Sequence, residues 1–150
     1  GERRNRLTAR TGVSLMRAFV ETTEEIGLEP GDLLPVIGCD VGATDRKFPK
    51  LASQKHVGSV TVKTGTLTHT DGGVAVVGGL FTAPDRGRVL FCAAATATGW
   101  NEPHWRGLQQ SWVLDLIKTI GGAVKSPCGP ELPFSDTFAE VEWVVPWDSL

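Results

Sequence analysis

Val60-Thr61-Val62-Lys63-Thr64-Gly65-Thr66-Leu67-Thr68 sets an ammonium group and two hydroxyls around a glycine, inside a segment otherwise built as a β-strand. Val and Thr favour an extended, pleated backbone. Glycine within a strand weakens it and marks close approach by another chain or a ligand. Working outward, this segment is the first of three strand candidates: Val57 to Thr68, Gly73 to Thr82 and Arg88 to Thr96. Asp71-Gly72 supplies a tight turn after the first, and Ala83-Pro84-Asp85-Arg86-Gly87 a turn after the second. Connections this short force antiparallel neighbours, which predicts a three-stranded meander. Near the end of the chain, Ala139, Val141, Trp143 and Val145 alternate with Glu140 and Glu142, the pattern of an added edge strand.

Two helices flank the strands. Ala9, Val13, Met16, Phe19 and Val20 recur at helical spacing, with Glu21, Glu24 and Glu25 turned the other way. Thr8 is the expected N-cap of a helix reaching Ile26, and Gly27 suits the position after its last turn. Gly12 lowers its propensity. A second helix is predicted from Glu102 to Ile120, with Asn101 as N-cap, Pro103 in the first turn and Gly121 as stop. Its apolar stripe reads Trp105, Leu108, Trp112, Leu116 and Ile120. Between Leu28 and His56, Pro30, Gly31, Pro35, Gly38, Gly42 and Pro49 predict a long irregular connection. The fold class is therefore α+β, an antiparallel sheet with flanking helices over residues 1–125, followed by an irregular tail at 126–150.

The continuously apolar runs Val74–Val77 and Val89–Ala95 want cover on both sheet faces. Two helices are expected to cover one face only. A wet strand face forfeits several kcal/mol at roughly 25 cal/mol per Å², comparable to a small domain's net stability. Another segment, or a second copy of the chain, is expected on the open face. The first residue is Gly1 rather than Met, so the expectation is a portion preceding it.

The 150 residues, 16.1 kDa, suit one domain or part of one, and 41% hydrophobic with 21% charged residues argue against wholesale disorder. A formal net charge of −2, with Arg3, Arg4 and Arg6 as the one dense cationic cluster, gives no nucleic-acid surface. No apolar run approaches a membrane span, and no signal peptide opens the sequence. Cys39, Cys92 and Cys128 lack the spacing of a zinc or redox site. Cys92 reads as a small core residue. Cys39 and Cys128 are expected as free thiols, with a pair in an oxidising compartment as the alternative. His56, His69 and His104 lack ligand spacing, so no metal or cofactor is implied.

Lys63-Thr64-Gly65 matches the third signature of the serine penicillin-recognising enzymes, after Ser-x-x-Lys and Ser-x-Asn. Asn5-Arg6-Leu7-Thr8-Ala9-Arg10 resembles the segment after the second signature in low-molecular-mass class C penicillin-binding proteins, the D-alanyl-D-alanine carboxypeptidase/endopeptidase family. Leu34-Pro35-Val36-Ile37-Gly38-Cys39-Asp40 resembles that family's Leu-Pro-x-x-Gly-x-Asp stretch. Gly78-Gly79 stands where it has an Ala-Gly pair. Order and approximate spacing agree over about residues 5–120. The sequence departs from the pattern in holding no Ser-x-x-Lys, and its nearest Ser-x-Asn, Ser135-Asp136-Thr137, is altered and misplaced.

The resemblance implies the C-terminal part of a β-lactamase/transpeptidase-like domain, working outside the cytoplasm, in the periplasm or an equivalent space, on peptidoglycan stem peptides and β-lactams. Its nucleophilic serine would come from the upstream portion, leaving this chain inactive alone. By the same resemblance Lys63 supplies positive potential and proton traffic, Thr64 with Thr66 hydrogen-bonds the substrate carboxylate, and the Thr66 N–H is an oxyanion donor. Gly65 lets the peptide lie flat. A strict period of two sets Lys63 and Thr64 on opposite faces, so one cleft can use both only at the sheet edge. Three alternatives remain: an edge strand whose Lys63 and threonines merely discourage aggregation, a non-catalytic binding or scaffold module, and a related serine esterase or β-lactamase. His69 and Asp71 are assigned to the turn.

Overall fold

Three antiparallel strands, β1 (Thr61–Leu67), β2 (Val74–Ala83) and β3 (Gly87–Thr96), lie in the order β1-β2-β3. They belong to a computed structural model that describes residues 7–40, 43–53, 55–68, 72–99 and 101–128. The α+β meander is as the sequence predicts. Residues 84–86 turn β2 into β3, with Gly87 in the left-handed region (φ +69°). The register aligns Thr64 with Val77 and Val77 with Ala93. Asp71 of the first turn, His69, the Arg3–Arg6 cluster and the tail strand at 139–145 lie outside the described residues.

Helix α1 (Ala9–Glu25) begins where Thr8 caps it, its side chain accepting from the Thr11 N–H, and ends at Ile26 with Gly27 at φ +76°. Gly12 has a reason beyond propensity: a Cβ there would sit 2.6 Å from the Cys92 sulfur, so its absence lets α1 lie directly on β3. Helix α4 (Glu102–Thr119) packs on the other face, where Val113 and Ile117 join Val62, Val77, Phe81 and Phe91. This corrects the expectation that both helices share one face. Each takes its own, because side chains alternate along β2 and β3 and both sides of these two strands are apolar.

The connection from Leu28 to His56 is also more ordered than predicted. It contains α2 (Pro30–Leu33) and α3 (Ala43–Lys47), and sends Ile37, Phe48 and Leu51 into the core on the α4 side. Val36 bridges Thr61, Ile37 N–H donates to Val60 O, and Val62 N–H donates to Pro35 O at 3.0 Å. The connection thereby pairs with the start of β1. The 57–60 stretch, predicted as strand, is turn, bend and irregular backbone, with Gly58 at φ +74°.

Cys39 and Cys128 form a disulfide, which corrects the free-thiol expectation. The sequence showed two loop cysteines 89 residues apart; only the fold brings their Cα atoms to 5.2 Å. Nearby, Ser126 N–H donates to Gly58 O and Val124 N–H to Thr82 O. Peptide mapping without reductant is expected to recover a Cys39–Cys128 cross-linked fragment and an unpaired Cys92. Because the closed loop is long, Cys39→Ser should lower the unfolding free energy by about 2–4 kcal/mol, read from urea midpoints.

Candidate active site

The outer edge of β1 is paired along only part of its length. Backbone N–H and C=O groups of alternate residues point to opposite sides of an antiparallel strand. Val62 N–H points outward to Pro35 O, so the N–H and C=O of Thr64 and Thr66 point outward too. Among the described residues no backbone group pairs with them. Pairing with the 34–37 segment stops one step before Thr64.

Lys63 and Gly65 sit on the face that also carries α1, and Thr64 and Thr66 on the face carrying α4. Lys63 is exposed, and its Nζ donates to Thr64 O at 2.9 Å, which brings its charge round to the outer edge. A Cβ at Gly65 would meet nothing within 4 Å, and its φ is not positive. Neither packing nor backbone geometry in this chain calls for glycine there. Gly79 differs, since a Cβ would strike Thr61 O and Phe91.

Beneath the sheet, α4 supplies polar groups that the sequence reading missed. Arg106 is 2% exposed, and all of its guanidinium N–H donors are used. Nε donates to Glu102 Oε1 at 3.3 Å, Nη1 to Val76 O at 2.8 Å and to Gln109 Oε1 at 2.7 Å. Nη2 donates to Gly65 O at 2.8 Å and to Thr66 Oγ1 at 2.5 Å. Gln109 Nε2 donates to Ala75 O at 2.9 Å and Ala93 O at 3.4 Å. Small residues at Ala75, Ala93 and Ala95 leave room for these side chains. Gln110 accepts from Lys50 N–H at 2.7 Å and Leu51 N–H at 3.2 Å, fixing the connection to the same helix.

The buried stripe of α4 is therefore Arg106, Gln109, Gln110, Val113 and Ile117, one step from the predicted one. Leu108 and Trp112 remain 50% and 42% exposed, while Leu116 and Ile120 pack partly against the core. The available signal was an arginine and two glutamines at helical spacing, leading into Val113 and Ile117.

Glu102 completes the cluster. Its Oε1 accepts from Thr66 Oγ1 at 2.8 Å and pairs with Lys47 Nζ at 2.9 Å. Hydrogen bonds from Lys47 foremost, then Thr66 and Arg106, hold its carboxyl down at about 2, against burial, which pushes it up. Cys92 is half-buried under α1 rather than in the core as expected, and burial pushes its thiol up, which suits an unreactive residue. Burial, then Lys55 and Lys125, lower His56. A surface hollow of about 440 Å³ is lined by Val57, Lys125, Ser126, Pro127 and Cys128, beside the disulfide, and by none of the β1 residues Lys63–Thr66. Ser14, Ser53 and Ser59 donate to backbone carbonyls close in sequence, none of them to a basic side chain. The described residues thus offer an edge for an extended peptide, a cation and a fixed carboxylate, without a paired nucleophile and base.

The sequence profile of the D-Ala-D-Ala carboxypeptidase 3 (S13) family matches residues 2–104, which include α1, all three strands and the first residues of α4. No curated protein and no solved structure matches the chain.

The Glu102 carboxylate makes a testable contribution to stability. Its folded value lies below the ordinary 4.5, so its contribution is complete above about pH 5 and is lost as pH falls through about 2. Urea unfolding from pH 6 down to 2 should show a loss on the order of 1–2 kcal/mol that Glu102→Gln abolishes.

Proposed function

The chain belongs to the D-Ala-D-Ala carboxypeptidase 3 (S13) family, and on that premise we propose that it forms one wall of a serine-type active site. The enzyme would cleave D-alanyl-D-alanine stem peptides of peptidoglycan, as a carboxypeptidase or an endopeptidase, and would be acylated by β-lactams. The observation that carries this reading is the open stretch of edge at Thr64–Thr66, with a Cβ-free, unobstructed Gly65 beside Lys63.

An extended peptide adds to such an edge by backbone hydrogen bonds. Outward N–H and C=O groups at Thr64 and Thr66 are its partners, and Gly65 lets it lie against the strand. When a serine attacks the penultimate D-alanine carbonyl, negative charge develops on the carbonyl oxygen. In this reading the outward Thr66 N–H is one donor to that oxygen, with a second from the nucleophile's own backbone. Lys63 supplies positive potential for the terminal carboxylate and for proton transfer at the serine. Collapse of the tetrahedral intermediate expels the protonated leaving amine, D-alanine for a carboxypeptidase, and water then hydrolyses the serine ester, releasing the shortened peptide and the serine hydroxyl.

The serine and its base belong to a portion preceding Gly1, which would seat on the face of β1 that carries Lys63. The chain alone is inactive in this reading. The Cys39–Cys128 disulfide supports an extracytoplasmic location, where such bonds persist.

Full-length protein should be labelled covalently by a fluorescent penicillin, and Lys63→Ala should slow labelling by at least about 100-fold. A full-length protein with its upstream serine intact that is never labelled overturns the proposal. Gly65→Ala separates function from folding. It should raise stability by about 0.5–1 kcal/mol, by relieving a strand glycine, while slowing labelling at least about tenfold.

A further inference from the structure

The Thr66 hydroxyl is already committed within the protein. A guanidinium has no acceptor, so Arg106 Nη2 must donate to Thr66 Oγ1, and the hydroxyl's own proton is left to point at Glu102 Oε1. Glu102 is held in turn by Lys47 and by Arg106 Nε. This arrangement fixes the Thr66 side chain from two sides. It leaves the hydroxyl without a proton for a ligand carboxylate.

The second bond from Nη2 matters more. Gly65 C=O and Thr66 N–H are the two ends of one planar trans peptide and point in opposite directions. Gly65 O already faces Val76 in the β1–β2 ladder, and Arg106 adds a second hydrogen bond to it at 2.8 Å from beneath the sheet, so the arginine restrains the tilt of that plane and with it the direction of the Thr66 N–H. Glycine at 65 restricts its own dihedrals least, so the plane relies on these outside partners for its orientation. The same guanidinium takes Val76 O on β2, locking the plane to the neighbouring strand.

We infer that Arg106, with Glu102, is the positioning residue for the oxyanion donor: it aims the Thr66 N–H through the Gly65 carbonyl and occupies the Thr66 hydroxyl, so that residue 66 serves the substrate with its backbone alone. This inference rests on the acyl-transfer reading above, and leaves Thr64 as the side-chain partner for the substrate carboxylate.

The test uses full-length protein and a fluorescent penicillin, with the acylation rate at saturation and the half-saturating concentration measured separately and normalised to folded protein. Arg106→Lys keeps the charge and loses the fork. It should slow acylation about 10- to 100-fold and shift half-saturation less than about threefold. Thr66→Val, at an exposed strand end, should lose at least about fivefold in rate, and Thr66→Ser should restore most of it. If Arg106→Lys does not fold, Thr66→Val and Thr66→Ser decide the matter. Folded variants acylating within about twofold of wild type overturn the inference and leave the enzyme reading intact. A wild type that never acylates removes both.

Discussion

A guanidinium sealed beneath a sheet must find an acceptor for every N–H, because each unmet donor costs about 1–3 kcal/mol and a buried charge costs more. Arg106 meets that demand with two strand carbonyls, a threonine, a glutamine and a glutamate. The consequences run in both directions. α4 has to lie with its polar residues against Ala75, Ala93 and Ala95, and β1 has to stay where its carbonyl can be reached. Toward the Phe81 end of the sheet the same interface is an ordinary apolar core. One helix therefore holds the fold by packing and orients the strand edge by hydrogen bonding.

The 28–56 connection does comparable work from the side. Ile37, Phe48 and Leu51 close the core beyond β1, while backbone pairing at Val36–Thr61 occupies the first part of the edge. Asp40 holds Val36 N–H at 2.7 Å and Asp45 holds Gly38 N–H at 3.0 Å, so the segment is braced internally. Gln110 ties it to α4, and the disulfide ties it to residue 128. A stretch without periodicity is held at these points because several of its polar backbone groups are met one by one, which no hydrophobic pattern reveals.

Strands, turns and the first helix were legible because their signals are local. β-branched runs, the Pro-Asp-Arg-Gly turn and the Thr8 cap each act within a few residues. Lys63, Thr64, Gly65 and Thr66 stood out by residue type, and their division between two faces followed from the pleat. What the sequence hid depends on the third dimension. A helix reading sorts residues by apolarity, so it favoured Leu108 and Trp112 over Arg106 and Gln109. Burial of the polar pair makes sense only once spare carbonyl lone pairs lie over them. The cysteine pairing and the placing of one helix on each face were hidden for the same reason.

The bracing of 34–37 against β1 leaves a window rather than a whole free margin. From Thr64 to Thr66 an extended chain rises about 7 Å, at about 3.3 Å per residue. That acts as a ruler. A short chain end finds its full set of partners within it, whereas a long strand of another molecule would run into the proline at 35 before it could zip up.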